Sequence, residues 1–165
     1  AYVLFQAMAT GHTTYSTMHA DSPQSLIHRL ESKPMNVPRI MIQSLDFICF
    51  HSVVRIKNKR VRRVTRIIEI IDIDPLTKEI ITNEVFSWDP VTDTFRYSGR
   101  SYILEKIRSE LGISKDEITK ELNRRIKLVN WLIGKDQISF RECVQMIEEY
   151  RERPDELLGR IEKND

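Results

Sequence analysis

The sequence has few of the residues on which several protein classes depend. Its 165 residues include only two cysteines, Cys49 and Cys143, and four histidines. The cysteines lie in apolar contexts without metal-binding spacing, so they predict buried free thiols rather than a disulfide framework or a zinc site. No run of eighteen apolar residues is present, so the sequence predicts no membrane-spanning helix.

Charge of one sign is not in excess. The chain carries 26 Lys and Arg against 24 Asp and Glu, a formal net charge of +2 at pH 7. This balance argues against a polyelectrolyte, and a hydrophobic content of 41% argues against disorder. A chain of this length fits one domain or somewhat more and can bury a core.

The sequence also lacks the motif that cradles nucleotide phosphates, GxxxxGK[ST]. The one Gly-Lys pair, Gly134-Lys135, is followed by Asp136 and has no glycine five positions before it. No Ser-His-Asp arrangement or zinc cluster is present either. The residues therefore give little support to an independent enzyme.

The most informative stretch runs from Gly11 to Asp21, with the sequence GHTTYSTMHAD. It holds two of the four histidines, His12 and His19, and the residues between them are rich in strand-forming types. We predict a short strand over Thr13 to Met18. Because side chains alternate along a strand, the two histidines would point to opposite faces and would not form a simple metal pair.

The run AYVLFQAMATGHTTYSTMHADSPQSLIHRLESKPMNVPRIMIQSLD resembles the histidine-box region of the secretion ATPase superfamily. That family drives type II and type IV secretion, pilus assembly and retraction, and the archaeal flagellum. The segments FQAMATGH, TMHAD, HRLE and NVPR most resemble its archaeal branch. The similarity is close over residues 1–75 and looser beyond. It implies an α/β fold, the C-terminal portion of a RecA-like P-loop ATPase domain.

The resemblance also implies roles for particular residues. His12 and His19 would lie near the phosphates of the nucleotide or face a neighbouring subunit, as catalytic residues. Arg29 would contact a neighbour's phosphate, as a cofactor-binding residue, or an interfacial acid, although an ordinary exposed arginine fits the same position. Asp21 would either cap the next helix or position His19. From the residues alone, the favoured interpretation of each histidine is a strand end that satisfies a buried carbonyl.

The same resemblance implies the surroundings of the whole enzyme. It would bind ATP and Mg²⁺, form a homohexamer and act on a polytopic membrane platform protein at the cytoplasmic face of the membrane. Because the phosphate loop would lie upstream, we expect this chain to be the C-terminal portion of a larger ATPase. We expect it to bind no cofactor and hydrolyse no ATP alone. The alternative is a non-enzymatic protein-interaction module that reuses the fold.

Turn and cap signals predict the elements of the first part, residues 1–100. Residues 1–9 favour a helix that Gly11 ends, and Ser22-Pro23 opens the next helix. From about 46 to 98, strand-like runs are separated by turn residues at Asn58-Lys59, Asp74-Pro75 and Asp89-Pro90. We therefore predict an antiparallel β-meander in this region.

The second part, residues 101–165, is predicted to be a small helical bundle. Residues 101–111 favour a helix that Gly112 ends. Ser114 with Glu117, and Ser139 with Glu142, have the spacing of capping boxes, so each pair predicts the start of a helix. Pro154 favours the start of a short last helix.

A basic hairpin, residues 55–66, begins with RIKNKRVRR. A turn at Asn58-Lys59 would place Lys57 opposite Arg60 and Arg55 opposite Arg62, and like charges in such pairs are mildly destabilising. A solvated edge hairpin, a subunit or membrane-protein contact, and nucleic acid all fit this pattern. Nucleic acid is not the expected partner, because the run has no interleaved aromatic residues that would stack on bases.

Overall fold

The computed structural model describes residues 1–135 and 138–163 and divides the chain into two units, Ala1–Lys106 and Ile107–Asp165. The elements in chain order are α1 (Tyr2–Ala9), α2 (Pro23–Glu31), α3 (Arg39–Ile42), β1 (Phe47–Ile56), β2 (Lys59–Ile73), β3 (Ile80–Asp89), β4 (Thr94–Tyr97), α4 (Tyr102–Leu111), α5 (Lys115–Gly134), α6 (Phe140–Glu152) and α7 (Pro154–Glu162). A search of the described helices finds none with both the length and the apolar character needed to cross a bilayer.

The two predicted capping boxes are present. The Ser114 hydroxyl accepts from the backbone N–H of Glu117 at 3.2 Å, and the Glu117 carboxylate accepts from the N–H of Ser114 at 2.7 Å. Ser139 and Glu142 make the same two bonds at 3.2 and 2.8 Å. Each pair satisfies two N–H groups that the first turn of a helix leaves without partners, so α5 and α6 begin where the sequence predicts.

The start of α2 also follows its local sequence. The Ser22 hydroxyl accepts from the N–H of Ser25 at 3.2 Å, and Pro23 occupies the first helical position. Asp21 is not the cap, because its carboxylate instead accepts from the Ser22 hydroxyl at 3.0 Å.

The four strands form one sheet in the order β1-β2-β3-β4, and every neighbouring pair is antiparallel. The predicted meander over residues 46–98 is confirmed. The prediction of an α/β fold, part of a RecA-like P-loop domain, is wrong for the described residues, which contain no parallel strand pair. The reason is connection length: strands joined by turns of a few residues can only return antiparallel, whereas parallel pairing needs a crossover of a dozen residues or more.

The strand predicted over Thr13 to Met18 is also absent. Residues 12–20 have no regular secondary structure. Strand-forming residue types alone do not make a strand, because a strand exists only where its backbone N–H and C=O groups form hydrogen bonds with a neighbouring strand. Among the described strands, none pairs with this segment.

The β1–β2 turn lies one residue earlier than predicted. Lys57 and Asn58 occupy it, with φ values of 43° and 66°. Positive φ at both central residues gives a turn whose twist matches that of the strands, and asparagine tolerates this conformation better than most residues. The predicted cross-strand pairs are therefore wrong: Arg55 lies opposite Arg60, and Arg62 lies opposite Val53.

The core of the first unit lies between the short helices and the sheet. Its buried members are Phe5, Leu26, Leu30, Val37 and Ile42, and Ile48 of β1 and Ile80 of β3 pack against them. Arg39 of α3 donates to both carboxylate oxygens of Glu31 of α2 and, at 3.0 Å, to the carbonyl of Lys78 in the β2–β3 turn. This one guanidinium thus joins two helices to the sheet.

The helical unit has a separate core. Its buried members come from α5, α6 and α7: Leu128, Leu132, Tyr150, Leu157, Leu158 and Ile161. Cys143 packs against this cluster and is partly buried as a free thiol, as predicted. The prediction is wrong for Cys49, a free thiol that lies exposed on β1.

Asp93 ties the β3–β4 turn to β2. Its carboxylate accepts two bonds of 2.8 Å from Arg63 and one of 2.9 Å from the Trp88 indole N–H. These bonds, chiefly those from Arg63, lower the pKa of the Asp93 carboxyl group from 3.8 to about 2. The carboxylate's contribution to stability is therefore complete above pH 4 and is lost as the pH falls through 2.

We expect Asp93→Asn to lower the melting temperature by a few degrees at pH 7, because the bidentate pair with Arg63 is lost. The difference from wild type should close between pH 4 and pH 2, where the wild-type carboxylate takes up its proton. Thermal melts followed by circular dichroism at pH 7, 4 and 2 measure this, with Asp46→Asn as the control for an exposed carboxylate. An unchanged difference at pH 2 would show that charge is not the cause.

Candidate functional site

The candidate site is the histidine segment, Gly11–Asp21, which connects α1 to α2. Gly11 has φ +88°, a left-handed conformation that glycine adopts without strain, and it follows the last turn of α1. The N–H of His12 then donates to the carbonyl of Ala7 at 3.0 Å. The first histidine is thus fixed to the end of a helix.

The ring of His12 is oriented by Thr10. Its Nδ1 lies 3.1 Å from the Thr10 hydroxyl, which is also 3.1 and 3.0 Å from the carbonyls of Gln6 and Ala7. A hydroxyl has one hydrogen, so when Thr10 donates to a helix carbonyl, Nδ1–H of His12 must donate to Thr10. Nε2 then carries the lone pair and is the ring nitrogen that can accept a bond or a proton.

The far end of the segment is held by two arginines. Arg29 of α2 donates to the backbone carbonyl of His19, and Arg66 of β2 donates to the carbonyl of Asp21 at 3.2 Å. The Arg66 guanidinium also lies 5.0 Å from the centre of the Phe50 ring, a cation–π distance. These side chains supply donors that a sheet partner would otherwise provide.

The anchored end carries a defined charge. The pKa of Asp21 lies below its ordinary value, chiefly because the Ser22 hydroxyl donates to its carboxylate and, to a smaller extent, because Arg29 is positively charged nearby. Asp21 is therefore ionised at neutral pH. The negatively charged carboxylate of Asp21 and the positively charged guanidinium of Arg29 thus both lie at the end of the segment that contains His19.

Both histidines are exposed, and so is most of the segment. Tyr15 exposes 87% of its surface and Met18 exposes 38%. The segment therefore offers two imidazoles, which can donate hydrogen bonds to an anion, on an accessible surface. Within residues 1–135 and 138–163, no group of three or more His, Cys, Asp or Glu is placed to hold a metal ion.

The structure brings the predicted residues Arg29 and His19 together and joins His12 to the same connection. Sequence reasoning missed the part of Arg66, which it placed within the basic run, and the part of Thr10. Both are polar residues whose partners are backbone carbonyls. A sequence pattern does not show which carbonyls have no hydrogen-bond partner in a helix or a sheet. The position of Arg66 directly before the apolar pair Ile67-Ile68, outside the run RIKNKRVRR, was the available signal.

The C-terminal part of the chain matches one family model. Residues 91–165 match the PilB3-like, C-terminal family. The PilB3-like match covers β4 and the helices α4 to α7, including both capping boxes. It supports a C-terminal domain related to those of pilus and secretion ATPases. The match begins after the histidine segment, so the roles of His12, His19 and Arg29 stay predictions.

Three proteins of Methanocaldococcus jannaschii are similar to nearly the whole chain. The uncharacterised protein MJ1287 is 44% identical over 92% of this chain, MJ0900 is 33% identical over 93%, and MJ0781 is 29% identical over 88%. The chain spans 56%, 28% and 20% of their respective lengths. The relatives therefore contain further sequence beyond the part that this chain spans.

Proposed function

We propose that the chain is the C-terminal region of a hexameric ATPase that powers protein secretion or the assembly of a pilus or an archaeal flagellum. The observation that carries the proposal is the PilB3-like, C-terminal match over residues 91–165. The relatives, of which this chain spans 56% or less, are compatible with a longer protein whose other parts bind ATP and Mg²⁺.

In this proposal the histidine segment works at the boundary between subunits. His12 and His19 are exposed on a connection that α1, Arg29 and Arg66 hold in place. A positioned imidazole can donate a hydrogen bond to charge that develops on the γ-phosphate, because phosphoryl transfer depends mainly on positioning and electrostatic stabilisation. Arg29 would hold His19 and lie within reach of a neighbouring subunit's nucleotide.

The proposed partners follow from the same enzyme class. The ATPase would act at the cytoplasmic face of the membrane on a polytopic platform protein, to which it passes the motion that ATP hydrolysis produces. The helical unit has exposed apolar side chains on α5, including Val129 at 50% and Ile133 at 75% exposure, which is compatible with a protein contact. This chain alone would not hydrolyse ATP.

The test uses the full-length product of the gene. We expect His19→Ala and His12→Ala each to lower kcat for Mg²⁺-dependent ATP hydrolysis at least tenfold, because a donor to the transition state is lost. His28→Ala is the matched control: His28 is an exposed histidine of α2 outside the histidine segment, and its replacement should leave kcat within about twofold.

Two results would count against the proposal. Equal activity of the His19→Ala, His12→Ala and His28→Ala enzymes would remove the segment from the chemistry. Magnesium-dependent turnover by the purified 165-residue chain, lost in His19→Ala, would show that this chain is an enzyme by itself.

A further inference from the structure

One face of the sheet is covered by helices, and much of the other is open. Ile48 of β1 packs into the core with α1 to α3, and Phe50 lies against Arg66 on the same side. Because side chains alternate along a strand, Cys49, His51, Val53 and Arg55 point the other way. These four residues are exposed, Val53 by 55%.

Register extends this open face across the sheet, since residues directly opposite each other share a face. Arg55 lies opposite Arg60 and Val53 opposite Arg62. On β2, Ile67 is opposite Phe86 of β3, which is opposite Tyr97 of β4. We call the following set the open face: Val53, Arg55, Arg60, Arg62, Val64, Ile67, Phe86, Phe95 and Tyr97.

One end of the open face is aromatic. The rings of Phe86 and Tyr97 lie 5.0 Å apart at 34°, and Phe86, Phe95 and Tyr97 expose 38%, 56% and 46% of their surfaces. Beside them is a shallow depression of about 340 Å³ lined by Val64, Arg66, Ile67, Phe86 and Phe95. Apart from Arg66, the side chains that line the depression are apolar.

The other end is cationic. Arg55, Arg60 and Arg62 form no ion pair with any residue that the structure describes. The stretch of sequence around them has no carboxylate: residues 47–68 contain seven Lys and Arg residues and no Asp or Glu. The pair Arg55 and Arg60 places like charges directly opposite each other, which an anionic ligand would relieve.

We infer that the open face binds single-stranded nucleic acid, with bases on the aromatic end and phosphates on Arg55, Arg60 and Arg62. Single strands are bound without strong sequence preference where exposed aromatic rings stack on bases and arginines follow the backbone. The sequence argument against nucleic acid was the lack of aromatic residues within the basic run. Pairing of β2 with β3 and β4 supplies those rings from elsewhere in the chain.

Other occupants fit the face less well. A second copy of this chain, docked face to face by twofold symmetry, would bring together two surfaces that are both positively charged. An anionic membrane surface would satisfy the charges but would leave the depression between Val64 and Phe95 unfilled. A strand that offers both phosphates and planar bases satisfies the two ends together.

The test is fluorescence anisotropy with a labelled oligothymidylate of about 20 nucleotides, titrated with the purified chain at several salt concentrations. We expect Phe95→Ala to weaken binding about tenfold through lost stacking. We expect the Arg60→Gln/Arg62→Gln variant to weaken binding and to reduce the slope of log K against log salt by about 1.4, since each phosphate contact on a single strand contributes about 0.7.

Two matched controls separate this site from general attraction of anions. Arg96→Gln removes an exposed arginine of β4 that lies opposite Ser87 on the helix-covered side of the sheet, and Tyr15→Ala removes an exposed ring outside the sheet. Both should bind as wild type does, and circular dichroism checks that all variants are folded. Absence of binding at low salt, equal weakening by Arg96→Gln, or binding to phosphatidylserine vesicles without binding to the oligonucleotide would overturn the inference.

Discussion

Leu157→Ala is expected to destabilise the helical unit by about 3–4 kcal/mol, because its side chain is completely buried and alanine leaves a cavity. Leu157 belongs to a core cluster of six buried residues from α5, α6 and α7. A core this small has few neighbours that could collapse into the space. We therefore expect most of the unit's helical signal to be lost at temperatures where the wild type is folded.

Thermal and urea melts followed by far-ultraviolet circular dichroism measure this loss. The matched control is Ile133→Ala, which removes an aliphatic side chain of α5 that is 75% exposed and should change stability by less than about 0.5 kcal/mol. A loss below about 1 kcal/mol in Leu157→Ala would mean that the helices are not held by this core.

Glu69→Gln is expected to destabilise the first unit by about 2 kcal/mol, because a buried acceptor becomes partly a donor. Glu69 on β2 is 2% exposed. Its Oε1 accepts from the Ser101 hydroxyl and from the N–H of Ile103 at 3.2 Å, and its Oε2 accepts from Asn83 at 3.0 Å and the N–H of Tyr102 at 2.8 Å. Either orientation of a glutamine amide would therefore turn its NH₂ toward two donors.

The carboxylate of Glu69 also stabilises the start of α4, since it binds N–H groups at the positive end of that helix. Burial by itself raises the pKa of Glu69, but the bonds from Ser101, Asn83 and the two backbone N–H groups outweigh it and the pKa is lowered. The contribution of the carboxylate to folding stability is therefore complete above the ordinary pKa range of glutamate. It is lost as the pH falls through the lowered pKa.

Denaturant melts at a series of pH values test this account. The difference between wild type and Glu69→Gln should be constant from about pH 7 to pH 5 and shrink below about pH 4. Glu84→Gln, at an exposed carboxylate of β3, is the control and should be nearly neutral. A difference that persists unchanged at low pH would show that shape, rather than the ionised acceptor, is what α4 requires.

Local signals predicted those elements whose stabilising contacts are close in sequence. The capping boxes at Ser114 and Ser139 each lie within four residues, so the start of α5 and of α6 could be read directly. The meander was predictable for the same reason, because Asp74-Pro75 and Asp89-Pro90 form turns by themselves. The hairpin turn was missed by one residue, which shifts the cross-strand pairs by two, since several turns fit RIKNKR and only the twist of the paired strands selects Lys57-Asn58.

The resemblance to secretion ATPases is supported in part, and the fold that it implies is wrong. The PilB3-like match supports a C-terminal domain related to those of pilus and secretion ATPases, yet the described strands form an antiparallel sheet and not the expected portion of a RecA-like α/β domain. Residue types in the histidine segment favoured a strand, but a strand also needs a neighbour. Within the described chain, Arg29 and Arg66 satisfy the carbonyls of this segment instead.

The sequence by itself determined the starts of α2, α5 and α6, the two Asp-Pro turns and the antiparallel order of the strands, because each depends on a few consecutive residues. Only the tertiary structure decided that Arg66 holds the carbonyl of Asp21, forty-five positions earlier in the chain. It likewise decided that Phe86 and Phe95 share a face with Arg60 and Arg62. Such neighbours depend on how the strands pair and on which backbone groups have no hydrogen-bond partner on a neighbouring strand. Both are properties of the folded chain.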